Sequence, residues 1–392
     1  MSRATAIVNG RIVLADGVQS GLALTIRDGK IASLGERADR DAEVKDARGG
    51  YVLPGLVDIH LHGAYGRTFN EASVDAWRET LAAHRAMGTT TAAATIATAP
   101  LDELVEVLRI AETLLAEREP GLSGVHLEGP YLSAAQRGAH GIDWLRHPAD
   151  GSWQSLRPFW PAVRIATLAP ELEGAALLIA SLRAAGVVVS AGHSAAGPEV
   201  VRRARREGLT HFAHLWSGQS MLTKRGPWRE IGLLETALGA DEMTAEIIAD
   251  GIHVPAELAR IAYRCFGPDR LCLVSDASAG TGLLAGSHFH MGSACGVVGD
   301  KVAMSADGTA FCGSTSFLAD VLRFSVVEAG IPLVDCVRMA STTPARILGL
   351  SGRVGAIAPG LSADLVIMDE TLRVREVVQN GRWVETGGSR GV

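Results

Sequence analysis

The sequence predicts a (β/α)8 barrel joined to a small β-sandwich built from both chain ends, on three observations. Between residues 54 and 350, apolar strand-like runs alternate with helix-patterned segments, giving eight strands over about 300 residues. The two ends share a different texture, with short β-rich runs and quick turns. At 392 residues, 47% hydrophobic and 20% charged, the chain suits one large core with an accessory unit better than a single small core.

Taken in order, residues 1–53 read AIVNGRIVLADG and then LALTIRDGKIASLG, with hairpin signals at Asn9-Gly10, Asp16-Gly17 and Asp28-Gly29. Residues 351–392 repeat the texture in ADLVIMD (363–369) and VVQNGRWVE (377–385), where Asn380-Gly381-Arg382 echoes Asn9-Gly10-Arg11. Neither end has enough strands to bury a core alone, so they are expected to pair, with 54–350 as an insertion. The predicted barrel strands are GLVDIHLH (55–62), TTTAAATI (89–96), GVHLE (124–128), VRIATLAP (163–170), VVVSAGH (187–193), HFAHLW (211–216), AEIIADGIH (245–253) and LCLVSDA (271–277). Helical patterns such as 73–88 and 101–119 lie between them. A doubly wound sheet is the rival, disfavoured because no strand, Gly-rich turn and helix open the domain. The Gly-, His- and Ser-rich stretch 283–312 reads as extra loops or a small hairpin before a helix at about 315–329. Pro359-Gly360 then marks the return to the β-domain.

A net charge of −6 gives no electrostatic reason to expect nucleic acid or an anionic membrane as partner. The run Arg202, Arg203, Arg205, Arg206 fits a solvated helix face. Five cysteines, odd in number and without C-x-x-C spacing, argue against a disulfide framework or a thiolate zinc site and for a reducing compartment. MSRATAIVNG has no apolar run suited to a signal peptide, and no uncharged apolar stretch of 18 residues occurs, so a cytoplasmic location is expected.

The chemistry is anchored at SGVHLEGPYL (123–132), where Glu128 closes a short buried strand just before Gly129-Pro130. A buried carboxylate is costly unless paired, hydrogen-bonded or bound to a metal. Alone, it would be read as a cap on the turn. Barrel strands deliver active residues at their C-terminal ends, and those ends carry His60, His62, Glu128, His193, His214, His253 and Asp276. His60 and His62 share a face because alternate strand residues do. A His-x-His pair is weak evidence, but five of the 12 histidines at strand ends are strong evidence. Imidazole and carboxylate without cysteine suit zinc, iron or a similar divalent ion. Asp276 is placed to take a proton from water and return it to a leaving group; its bland alternative is a helix cap. Two further patterns are set aside. Gly280-x-Gly282-x-x-Ala285 comes last in the alternation and lacks a following βαβ unit. Gly387-x-Ser389-x-Gly391 sits in a terminal tail.

The stretches PGLVDIHLHG (54–63), HLEGPYL (126–132), RGAHG (137–141), SAGHS (190–194), HFAHLW, IADGIHV (248–254) and LVSDA (273–277) resemble the amidohydrolase superfamily and, more narrowly, its N-acetylglucosamine-6-phosphate deacetylase branch. TTPARILGLSGRVGAIAPGLSADLVIMD (342–369) resembles that branch's closing segment, so the likeness spans nearly the whole chain. The resemblance implies a metal-dependent deacetylase of an N-acetylated amino sugar. It places the main metal site on Glu128, His193 and His214, with His60 and His62 matching a second-metal pair, so that one or two ions, zinc or iron, are implied. Asp276 takes the base and acid position, His140 the position against the acyl carbonyl, and Ala139 lines the sugar. His253 and Arg225 match positions that reach the sugar or its phosphate across the interface of a homodimer. The chain departs from the branch where Asn-Ala-Met is replaced by Ser217, Gly218 and Gln219, and where Ser275 stands for Thr. Ser217 and Gly218 are still expected to line the substrate. The alternatives are an amidohydrolase acting on a different N-acyl substrate, another amidohydrolase reaction such as cyclic-amide opening or nucleobase deamination, and a non-catalytic barrel that binds rather than reacts.

Overall fold

A computed structural model of the chain describes residues 4–385; the Gly387-x-Ser389-x-Gly391 pattern lies outside them. Its centre is an eight-stranded parallel sheet in sequential order: β1 (Leu56–Leu61), β2 (Thr89–Ala97), β3 (Leu122–Glu128), β4 (Val163–Leu168), β5 (Val188–Ala191), β6 (Leu209–Phe212), β7 (Thr244–Ile247) and β8 (Leu271–Leu273). The ladder does not run between β8 and β1, but the seam is closed past the strand ends. There Asp276 N–H donates to His60 O at 2.9 Å and His62 N–H to Ala277 O at 2.8 Å. Sequential parallel order with a closing seam is the barrel the alternation predicts.

The crossover helices pack their apolar faces on this sheet. In α1 (Val74–Ala86) the Ser73 hydroxyl caps Ala76 N–H, and Trp77, Leu81 and His84 are buried. In α2 (Leu101–Ala116) Leu104, Val107, Leu108, Ala111 and Leu114 repeat at helical spacing and are buried together. In α3 (Pro198–Glu207) the arginine run is exposed, as expected of a solvated face, with Val201 and Ala204 turned inward.

Both chain ends build one small β-domain of two sheets. One holds the strands 30–35, 23–27, 5–8 and 43–46; the other holds 382–383, 374–379, 365–368, 51–54, 11–14 and 17–19. The ends meet where Leu365–Met368 runs antiparallel to Tyr51–Pro54, in the register Leu365↔Pro54 to Met368↔Tyr51. Ile7, Ile12, Leu24, Val52, Leu365 and Ile367 are buried in a core shared by the two ends.

Two details differ from the sequence reading. Six predicted strands overshoot: the ladders stop at Leu61, Leu168, Ala191, Phe212, Ile247 and Leu273, and His62, His193, His214, His253 and Asp276 lie beyond them. The stretch 283–312 is more than a hairpin. It folds as a four-stranded antiparallel meander of β9 (His288–Met291), β10 (Ala294–Val298), β11 (Val302–Ser305) and β12 (Phe311–Ser314). Phe289, Met291, Ala294, Val298 and Ala303 give it a core of its own. Glycines and polar residues interrupt its alternation, which hid the strands.

Candidate active site

All of β1 is buried, and its ladder with β2 slips register between Asp58 and Leu61, so strict alternation does not hold there; His60 and, just past the strand, His62 both reach one carboxylate. Around that carboxylate the chain gathers imidazoles. Glu128, with its side chain 4% exposed, has His60, His193 and His214 Nε2 at 3.4, 3.1 and 2.9 Å from Oε1. Its Oε2 has His62 and His140 Nε2 at 3.3 and 3.4 Å. Asp276 Oδ1 stands 3.2 Å from His62 Nε2 and 3.6 Å from His60 Nε2.

Local backbone aims these side chains. His193 and Asp276 have φ near +47°, left-handed for non-glycine residues, which costs ~1–2 kcal/mol each. The bend turns both inward immediately past their strands. Asp276 is pinned on both sides, its N–H to His60 O and its carbonyl accepting Ser314 N–H at 2.7 Å. His193 Nδ1 donates to Gln136 O at 2.9 Å, so its Nε2 faces Glu128. Beside it, Gly218 has φ near +57°, and a Cβ there would lie 2.5 Å from His193 Nδ1. In this chain a side chain there would have to displace the His193 ring. Gln219 points away and holds the loop instead, donating Nε2–H to Ala213 O at 2.8 Å.

The electrostatics follow from burial and this crowding. Burial alone would raise the Glu128 pKa, but His60, His140 and His193 outweigh it and hold the carboxyl well below its usual range. Asp276 is likewise lowered, burial being outweighed by its bond to His62 and by the charge of His60. His60 runs the other way: burial disfavours its charged form, but Glu128 and Glu246 hold its pKa well above the ordinary value. His140 is pushed down to about 4, chiefly by burial, with Glu128 opposing. At neutral pH its ring is an uncharged hydrogen-bonding group.

The donor set fits a metal. Three overlapping groups bring ligand atoms within 4.8 Å of one another: His60, His62 and Asp276; His60, Glu128 and His214; Glu128, His140 and His193. His60 Nε2 is fully buried yet lacks a hydrogen-bond partner. A buried cluster of imidazole nitrogens and carboxylate oxygens with open lone pairs is what one or two divalent ions require.

Around this cluster lies a cleft of about 230 Å³. It is lined by Glu128, His62, His140, His193, His214 and Asp276 at its floor and by Ala139, Ser217, Gly218 and His253 at its walls. His253 is fixed by its Nδ1, 2.7 Å from Asp250 Oδ2, and its ring stacks at a tilt on Phe311, 4.7 Å between centroids. Arg225 is elsewhere in the single chain. It stands on a short hairpin, Thr223–Arg225 with Trp228–Glu230, its side chain 84% exposed and 3.1 Å from Glu230. Trp216, Met291 and Phe311 also line the cleft and were missed in the sequence, as was Glu246 behind His60. For Glu246 a signal existed, an acid inside the apolar run AEII.

Comparison with known proteins agrees with this geometry. The amidohydrolase family model matches residues 51–385. The chain is 32% identical over 382 residues to an N-acetylgalactosamine-6-phosphate deacetylase of Shewanella sp. (strain ANA-3), covering 95% of this chain and 94% of that one. Among solved structures, N-acetylglucosamine-6-phosphate deacetylase from Pasteurella multocida superposes with a TM-score of 0.90 at 28% identity, over 97% of this chain and 99% of that chain. A mutant of the Mycobacterium smegmatis deacetylase, in complex with N-acetyl-D-glucosamine-6-phosphate, gives 0.89 at 32% identity, over 98% and 100%.

Proposed function

The chain belongs to the amidohydrolase family, and on that premise we propose that it removes the acetyl group from an N-acetylated amino sugar phosphate, N-acetylglucosamine-6-phosphate first, yielding acetate and the amino sugar phosphate. The observation that carries this reading is Asp276, 3.2 Å from His62 within the imidazole cluster on Glu128. Glu128, His193 and His214 would hold one ion, and His60 and His62 a second shared through Glu128; zinc is our assignment, iron the alternative. When bound, such an ion supplies Lewis acidity, making water a better nucleophile and polarising the acyl oxygen.

The chain's own groups complete the reaction. Asp276, ionised through the neutral range, accepts a proton from the attacking water and delivers it to the sugar nitrogen as the C–N bond breaks. Uncharged His140 donates Nε2–H where negative charge develops on the acyl oxygen. Ala139, Ser217, Gly218 and His253 form the sugar-facing wall. His253 donates Nδ1–H to Asp250 Oδ2 and so offers Nε2 to the ligand.

We assign the phosphate to Arg225 of a second copy. In support of a homodimer, the segment around it exposes Met221, Leu222, Trp228 and Ile231, at 53%, 48%, 73% and 49%. Exposed apolar surface of this kind marks contact sites. The five cysteines are all free, which supports a reducing, cytoplasmic setting. Among the described residues no helix is long and apolar enough to cross a membrane.

A second reading rests on the same cleft. No Lys or Arg of the described chain lines it, which favours an unphosphorylated N-acyl substrate if Arg225 does not arrive from a partner. Acetate release from the zinc-loaded protein decides. Strong preference for N-acetylglucosamine-6-phosphate over N-acetylglucosamine supports the phosphate assignment. Turnover of neither, with metal bound, removes the substrate and keeps only the chemistry.

A further inference from the structure

Behind the metal-facing side of His60 lies a second polar layer that the reaction itself does not use. Glu246, on β7, is fully buried among apolar strand residues. Its Oε2 is 2.8 Å from His60 Nδ1 and also accepts His214 N–H at 3.3 Å. Its Oε1 is 2.9 Å from His211 Nε2, and His211 Nδ1 is in turn 2.6 Å from the Thr244 hydroxyl. One carboxylate therefore ties β1, β6 and β7 together beneath the cluster. Three N–H groups converge on it, which is what makes a fully buried acid tolerable.

The hydrogen-bond roles settle the orientation of His60. An ionised carboxylate only accepts, so His60 Nδ1 carries a proton directed at Glu246. The free ring position is then Nε2, the atom that stands 3.4 Å from Glu128 and has no hydrogen-bond partner. The other ring nitrogens are held less firmly. His193 Nδ1 bonds a backbone carbonyl, while His62 Nδ1 and His214 Nδ1 are buried without a partner.

We propose that Glu246, anchored by His211, is the positioning residue for His60: it fixes the ring's tautomer and direction and so sets the affinity of the ion that His60 and His62 share with Glu128. Carboxylate partners behind ligating histidines are worth ~10–100-fold in metal affinity, and the buried relay here has that geometry. The same carboxylate holds the His214 backbone, so the two halves of the cluster are coupled through it. This inference rests on the metal-site reading above.

The test is zinc binding, measured by competition with a chromogenic chelator on the full chain, for wild type, Glu246→Gln and Glu246→Asp. Side-chain 15N NMR of the zinc-loaded protein reads the His60 tautomer, and the melting midpoint of metal-free protein reports folding. We expect Glu246→Gln to weaken the affected ion by about 10–100-fold and to lose the single Nδ1–H form of His60. The aspartate, charged but one methylene shorter, should recover part of the affinity. Wild type that takes up no zinc would overturn the metal reading and this inference with it. Wild type that binds zinc while Glu246→Gln binds equally well would overturn the inference alone. A lowered melting midpoint with unchanged zinc affinity would do the same, reducing Glu246 to a structural role.

Discussion

The floor of the cleft and its walls are built on opposite plans. On the floor, Glu128, His60, His62 and His214 are nearly or wholly inaccessible, and their partners come from strands far apart in sequence; Glu128 and His214 are 86 residues apart and His60 and Glu246 are 186 apart. The walls come from loops and the β9–β12 meander. The meander strands pair with their sequence neighbours, with a few anchors to the barrel such as Ser314 N–H on Asp276 O, and Phe311 is 43% exposed. A floor made of long-range pairs cannot shift one residue without disturbing several strands. A wall whose strands pair mainly with their neighbours can change shape between its anchors with less disturbance. Under the proposed function, reaction chemistry is assigned to the barrel and substrate choice to what is draped over it.

The sharpest way to test that division is to cut the floor where only chemistry should suffer. Asp276→Asn keeps size and most hydrogen bonding but removes the proton acceptor. We expect kcat to fall by about 10²–10⁴-fold, the usual share of general acid–base catalysis, with zinc content unchanged. Near-normal turnover with metal bound would remove Asp276 from the mechanism. A wall residue should behave differently. Phe311→Ala deletes the ring that tilts over His253. An aromatic contact of about 0.5–1.5 kcal/mol predicts a KM rise of roughly 2–10-fold with kcat little changed. Were kcat to fall instead, the meander would be part of the catalytic apparatus and the contrast would fail.

The same division explains what could be read from the sequence. The floor was legible because its residues sit in short recognisable runs, His-x-His after LVDI and Glu128 after GVHL, and because the barrel places strand ends at one face. The exact turn-out of His193 and Asp276 was not legible, since a positive φ at a non-glycine residue leaves no trace in composition. Glu246 was passed over because its partners, His60 and His211, become neighbours only when β1, β6 and β7 pack side by side. The walls were least legible. Four short strands interrupted by glycine and serine looked like loops, and Gly218 could not be understood until His193 was seen against it. The pairing of the chain ends, by contrast, was visible in their shared texture and in the Asn-Gly-Arg echo.

The smallest expected effect on activity comes from a buried acid at the junction of barrel and β-domain, and it supplies the control for the others. Asp364 is 6% exposed, close to Glu128 in burial, but a single backbone donor, Asn380 N–H at 2.6 Å, reaches its carboxylate. Burial accordingly wins and raises its pKa to about 6, whereas Glu246, with three donors, is held well below its usual range against the same penalty. The folded chain then holds a proton that the unfolded chain releases near about pH 4, so stability should fall as pH rises from about 4 to about 6 and level off above. Asp364→Asn keeps the acceptor for Asn380 and cannot ionise. It should lose that slope and gain roughly 1–3 kcal/mol at neutral pH, read as a higher melting midpoint, while kcat and KM stay as they were. An unchanged pH slope would mean the carboxylate is better solvated than its burial suggests. A change in kcat would mean the two faces of the barrel are coupled, which nothing in the floor's own bonding requires.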